Sequence, residues 1–182
     1  MPHRFSHKNA EILDSEDRRA FFPPEKVLGI LDGVKARKEV AFDVGAGTGY
    51  LTIPLAKIFK KVYAVEISLE MVEILTKKLK ENGISNVGII LSEKPPEVDF
   101  SIDLVVFSNV LHEMDSPREY LCWAKKASFV LIAEWKKVET EFGPPIEDRI
   151  SLEEILSVCE GYEVVKVEEL PYHYVALLKK KS

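Results

Sequence analysis

The chain has 182 residues, of which 46% are hydrophobic and 30% charged, and its formal net charge is −5. That length suits one α/β domain, and the composition excludes general disorder. The negative charge argues against a partner such as duplex nucleic acid, which needs a basic face, and no apolar run approaches the roughly 20 residues of a membrane-spanning helix.

The amino-terminal Met1-Pro2-His3-Arg4 leads into polar residues rather than the apolar core of a signal peptide, so a cytoplasmic location and no membrane partner are expected. Cys122 and Cys159 form no CxxC pair and offer no zinc set, so no metal is expected. Both fall in predicted helices among apolar neighbours, where buried structural thiols are expected. Lys179-Lys180-Lys181 reads as a solvated basic end. The absence of Gln beside abundant Lys and Glu hints at a thermophilic source.

Short β-rich runs alternate with amphipathic helical patterns along the chain, which predicts a mainly parallel sheet. A helical lead-in over 1–32 precedes a core over 33–182. In the lead-in, Asp14-Ser15-Glu16-Asp17 can start one helix, Pro23-Pro24 breaks it, and Val27, Leu28 and Leu31 give the next an apolar face. The first strand is Glu39–Val44. A glycine-rich turn follows, then a helix with Leu51, Leu55, Ile58 and Phe59 on one face. The second strand is Val62–Ile67. Ser68 caps a helix carrying Val72, Leu75 and Leu79, which stops at Asn82-Gly83. The third strand is Val87–Leu91, the segment Ser92–Ser101 is a loop or single turn, and the fourth strand is Ile102–Ser108. Ser116-Pro117-Arg118-Glu119 has the form of a capping box with Pro at the first helical position. The fifth strand is Phe129–Glu134. A second capping box, Ser151-Leu152-Glu153-Glu154, starts a helix that Gly161 closes. Glu163–Glu169 and His173–Leu178 are strands joined only by Leu170-Pro171-Tyr172, a link too short for a parallel crossover, so they form an antiparallel hairpin.

The central signal is Asp43-Val44-Gly45-Ala46-Gly47-Thr48-Gly49-Tyr50, in which an apolar strand runs into three alternate glycines and then a helix. Glycines turn the chain sharply and let a ligand approach the backbone, and free N–H groups at a helix start favour anionic groups. Glu66 ends the second strand, where a carboxylate can accept hydrogen bonds from both ribose hydroxyls of an adenosine. The dinucleotide fingerprint spaces its glycines G-x-G-x-x-G. Here the third glycine comes one residue early and Asp43 sits inside the motif. A dinucleotide site and a ligand-free tight turn are the competing readings.

At these residues the chain resembles the class I S-adenosylmethionine-dependent methyltransferases, within them the small ubiquinone/menaquinone-type branch. Asn109-Val110-Leu111-His112-Glu113 after the fourth strand and Glu134-Trp135-Lys136 after the fifth support that placement. The resemblance spans roughly Val27 to Leu178. It implies one methyltransferase domain over 1–182 with a Rossmann-like seven-stranded sheet, mostly parallel with an antiparallel seventh strand, and helices on both faces. The implied cofactor is S-adenosylmethionine. Gly45, Ala46, Gly47 and Gly49 would cradle its methionine and ribose parts, and Asp43 would orient that loop near the amino group. Glu66 would take the ribose, Ile67 and Met71 would flank the adenine, Glu93 would meet the adenine amino group, and Asn109 would lie beside the methionine. The common Pro-Gly-Gly turn before the fifth strand is missing.

Methyl transfer needs placement above all, and a general base only when the nucleophile arrives protonated. His112, Glu113, Asp115 and Tyr50 are the candidate bases, and His112 is the foremost because its pKa lies near neutrality; the bland alternative is a loop histidine bonded to backbone. No Asp/Asn-Pro-Pro-aromatic motif follows the fourth strand, so a small-molecule acceptor is expected and no nucleic acid. A protein or RNA methyltransferase and a non-catalytic cofactor-binding domain are the rivals. The lead-in through Phe22 and the loop Lys136–Arg149 are expected to cover the carboxyl edge of the sheet, the loop anchored at its ends and adjustable in its middle, unless it is a plain connector. His3 and His7 are expected in a solvated terminus, the alternative being that one of them closes over the site.

Overall fold

The computed structural model describes residues 16–182, so Asp14, Ser15, His3 and His7 lie outside the described residues. Seven strands form one sheet in the order β3-β2-β1-β4-β5-β7-β6. They are β1 (Val40–Val44), β2 (Lys61–Glu66), β3 (Val87–Leu91), β4 (Ile102–Ser108), β5 (Ala127–Trp135), β6 (Tyr162–Glu169) and β7 (His173–Lys180). The first five pair in parallel, and β7 runs antiparallel between β5 and β6. The central strands are buried on both faces and are mostly apolar, as in Leu104–Phe107 of β4. The β6 edge alternates poorly and carries Glu163, Lys166, Glu168 and Glu169, which discourages pairing with another chain.

Among the described residues six α-helices cover the two faces: α1 (Glu16–Phe21), α2 (Pro24–Leu28), α3 (Thr52–Ile58), α4 (Leu69–Glu81), α5 (Pro117–Trp123) and α6 (Leu152–Val158). On one face Leu121 and Ile155, from α5 and α6, pack with Phe42, Val105, Ile132 and Ala176. On the other, Val27 and Leu55 pack with Ala41, Leu104, Val106 and Val175, while Leu75 and Leu79 of α4 cover Ala64.

The structure departs from several sequence expectations. β5 starts two residues early because Ala127 pairs with Ile102 of β4, and β7 runs two residues longer because Lys179 and Lys180 pair with Glu163 and Tyr162 of β6. Ile58, expected on the apolar face of its helix, is 40% exposed, and that face is filled by Leu51, Leu55 and Phe59 alone. Cys159 is buried but Cys122 is exposed, since α5 turns Tyr120 and Leu121 inward instead. The capping hydroxyls of Ser68 and Ser151 accept from the N–H groups of Met71 and Glu154. Ser116 makes no such bond; it lines a small cavity beside Asp115 and Glu119.

Candidate functional site

A cavity of about 1130 Å³ opens at the carboxyl ends of β1, β4 and β5. One of its ends is built from the glycine loop. Gly45, Gly47 and Gly49 all have positive φ, at 73°, 58° and 96°, a region that side chains with a Cβ rarely enter. The N–H groups of Gly45 and Ala46 reach across to the Val65 carbonyl at 2.8 and 3.1 Å. A Cβ on Gly45 would lie 2.3 Å from Val110 Cγ2, and one on Gly49 would lie 2.5 Å from Leu75 Cδ1. These two glycines are therefore demanded by the protein's own packing as well as by their backbone.

Glu66 ties this loop to its surroundings. Its Oε1 accepts from the Gly47 N–H at 3.0 Å, and its Oε2 accepts from the Ile67 and Ser68 N–H groups at 2.8 and 2.7 Å. The carboxylate thus holds the turn together while Glu66 also lines the cavity. Asp43 is 2% exposed and accepts the Thr52 hydroxyl at 2.7 Å. Burial pushes its carboxyl up to about 7; the Thr52 bond opposes the shift, Glu66 adds to it and Arg18 opposes it.

Asp43, Gly45, Ala46, Gly47, Glu66, Ile67, Met71, Asn109 and His112 all line the large cavity. Gly49 does not, being turned toward Leu75. Glu93 lines a neighbouring cavity of about 280 Å³, which shares Gly45, Glu66, Ile67 and Val110 with the large one. Ile67 is 47% exposed. Asn109 has φ 54°, an uncommon conformation for a residue other than glycine. Its Oδ1 and the neighbouring Ser108 Oγ are buried with no hydrogen-bond partner among the described residues. Two acidic groups, left-handed glycines and two orphaned oxygens form a set suited to a ligand with an ammonium group and vicinal hydroxyls.

The other end of the cavity draws on distant segments. His112 Nδ1 lies 2.8 Å from Glu134 Oε2, while Glu134 Oε1 accepts the His112 backbone N–H at 3.2 Å. Glu134 is wholly buried. Burial alone would lower the His112 pKa, but Glu134, through charge and hydrogen bond, and then Glu113 and Asp148 outweigh it and raise the pKa. Of the other candidate bases, the Tyr50 hydroxyl donates to the Phe22 carbonyl at 2.5 Å, Asp115 lines the smaller cavity, and Glu113 borders both cavities, 3.7 Å from His112 Nε2.

Beyond His112 stand Phe21, Trp135, Phe142, Tyr172 and His173. Phe21 meets Phe142 at 5.2 Å and Tyr172 at 5.6 Å between ring centres, so α1 and the loop after β5 touch over the cavity. His173 is fully buried between Trp135 and Phe22, at 4.2 and 4.4 Å, and neither ring nitrogen has a partner among the described residues. Burial, followed by the charges of Arg18, Arg149, His112 and Lys136, pushes its pKa down to about 3.

The loop after β5 is pinned at its middle, contrary to the adjustable span its sequence suggested. Arg149 donates to the carbonyls of Pro144, Lys136, Val138 and Phe142 and to the Thr140 hydroxyl, and its guanidinium lies over the Trp135 ring. One buried cation thus satisfies carbonyls that a loop would otherwise turn to water. The sequence assigned no site role to Glu134, His173 or Arg149, although Glu134-Trp135-Lys136 entered the family resemblance. Glu134 carried a signal, a carboxylate within the apolar run Phe129–Trp135. His173 and Arg149 carried none, since their roles depend on which segments meet.

Among known proteins, the family described as a methyltransferase domain matches residues 42–127. A solved S-adenosylmethionine-dependent methyltransferase from Aquifex aeolicus is 30% identical and superposes with a TM-score of 0.85, over 96% of this chain and 98% of that one. A "Probable ribosomal RNA small subunit methyltransferase A" of Methanosphaera stadtmanae is 37% identical over 110 residues, 60% of this chain and 40% of that protein. The mitochondrial ribosomal RNA small subunit methyltransferase of Arabidopsis thaliana is 33% identical over 110 residues, 60% of this chain and 25% of that protein. The chain therefore spans well under two thirds of the length of these two curated relatives. With the glycine loop, the acidic end of β2 and the antiparallel β7 in place, the chain belongs to the class I S-adenosylmethionine-dependent methyltransferases.

Proposed function

We propose that the chain transfers a methyl group from S-adenosylmethionine to a small-molecule acceptor. The observation that carries this reading is one cavity with two chemically different ends, a polar glycine-loop end and an aromatic end roofed by α1 and the pinned loop. At about 1130 Å³ it exceeds the span common for a single small ligand.

In this reading Gly45, Ala46, Gly47 and Gly49 shape the loop around the methionine and ribose parts. Asp43 faces the amino group, Glu66 adds ribose bonds to its backbone bonds, and Asn109 borders the methionine. Ile67 and Met71 flank the adenine, and Glu93 reaches its edge from the smaller cavity. The cofactor, when bound, supplies a methyl already made electrophilic by its sulfonium. The protein's part is alignment in a pocket closed to water, with His112 as the base for an acceptor that arrives protonated.

An RNA acceptor is the second reading, favoured by the names of the curated relatives. Against it stand the net charge of −5 and a reaction end walled by a helix and a loop. Calorimetric titration with S-adenosylmethionine, S-adenosylhomocysteine and NAD tests the cofactor: the first two should bind, and tighter binding of NAD would sink the proposal. Incubation of labelled cofactor with a cell extract then tests the acceptor. Label in the small-molecule fraction is expected, and label confined to RNA or protein would overturn the small-molecule assignment.

A further inference from the structure

Resting on that reading, we propose that the aromatic end of the cavity is an acceptor subsite for a flat aromatic hydroxyl compound, with His112 as its base and Glu134 as the residue that positions His112.

Three features select this chemistry. The first is the walls. Phe21, Trp135, Tyr172 and Phe142 offer ring faces and edges from α1, β5, the β6–β7 turn and the loop after β5, and such surfaces hold planar apolar molecules by stacking and edge contacts. The second is the base. Glu134 spends one oxygen on the His112 backbone N–H and the other on Nδ1. That arrangement keeps the proton on Nδ1 and leaves Nε2 with a lone pair for the acceptor.

The third is charge. An aromatic box would also suit an ammonium group; of the charged side chains near this one, Arg18 lines the cavity together with Asp17 and Glu113. The guanidinium of Arg18 lies 4.0 Å from the centre of the Tyr50 ring, and that of Arg149 lies 5.2 Å from the centre of the Trp135 ring. Inside the box stands His173, neutral and without a hydrogen-bond partner among the described residues. Burial, the first cause of that neutrality, penalises a bound ion of either sign, so the site suits an acceptor that enters as a neutral hydroxyl and gives up its proton only to His112. Glu134, Glu113 and Asp148 act on His112 from three segments and strengthen it as a base.

The step balances as follows. The acceptor O–H proton passes to His112 Nε2. The freed oxygen pair forms the bond to the methyl carbon while the carbon–sulfur bond breaks with its pair left on sulfur. The imidazolium, paired with Glu134, then returns its proton to water.

The probe is 4-nitrophenol, whose ionised form is coloured, added to protein loaded with S-adenosylhomocysteine. Saturable binding that quenches tryptophan emission is expected, with the bound probe ionising about one pH unit below the free one. Trp135→Phe should remove most of the quenching, leaving any contribution of Trp123. Phe142→Ala should weaken binding by about fivefold. Glu134→Gln should keep binding but abolish the ionisation shift. 4-Nitroanisole, which has no acidic proton, should bind wild type without a colour change, so the site can be read even if the glutamine variant fails to fold. Absence of probe binding to the loaded protein would overturn the inference and leave the cofactor reading intact. So would tighter binding of benzyltrimethylammonium, or an ionisation shift unchanged in a folded Glu134→Gln protein. Failure of S-adenosylhomocysteine itself to bind would overturn both.

Discussion

The two ends of the cavity are held in opposite ways. The glycine-loop end is local: Asp43 through Gly49 follow one strand, and one carboxylate at the tip of the adjacent strand gathers their N–H groups. The aromatic end is assembled from α1, β5, the loop after it and the β6–β7 turn, and it is braced by Arg149 within that loop and by Glu134 across from β5 to His112. A local site tolerates little change in its backbone, whereas an assembled one tolerates change in any single ring but depends on its braces.

The largest effect should come from the local end. Gly45→Ala places a Cβ against Val110 in a left-handed conformation, and overpacking and backbone strain together should cost about 3–4 kcal/mol of stability. Denaturant unfolding measures it, and Val110→Ala in the same chain should restore part of the loss. A Gly45→Ala protein as stable as wild type would show that the loop yields where the geometry says it cannot. Next, Arg149→Met should cost about 3 kcal/mol, the upper end for bonds to a charged group, while leaving S-adenosylhomocysteine affinity unchanged. A comparable loss of cofactor affinity would mean that the two ends are not separately held.

Glu66→Gln keeps one carbonyl oxygen and should weaken S-adenosylhomocysteine by about 2 kcal/mol in calorimetry. An unaltered affinity would leave Glu66 as a loop brace only. The smallest effect is one of pH. Asp43, raised to about 7, is protonated below that pH in the free protein and must lose its proton to face an ammonium group. S-adenosylhomocysteine affinity should therefore rise by about tenfold from pH 6 to pH 8. In Asp43→Asn the curve should be flat, and a curve rising equally in that variant would assign the titration elsewhere.

The same contrast explains what the sequence made legible. The order of the strands, the hairpin end and the acidic tip of β2 follow from period, spacing and turn chemistry, all of which act over a few residues. Gly45 and Gly49 were legible as turn residues, which their positive φ bears out, but not the packing that also demands them, since Val110 and Leu75 arrive from later segments. His112 was visible as a candidate, but its partner Glu134 is 22 residues away and meets it only because β4 and β5 are neighbours. Arg149 looked like the end of a connector. Its hold on the loop depends on a fold of the chain that no local pattern encodes.

The placement of β7 also bears on how the chain is made. β5 is nine residues long and its centre, Phe129 to Ala133, is wholly apolar, yet its outer ladder is filled only by β7, about forty residues later and beyond β6. Until β7 has been synthesised, the growing chain carries an open apolar strand edge, the feature most prone to pairing with a neighbour. Because β7 also delivers His173, the nascent chain loses this hazard and gains the far wall of its cavity in one event.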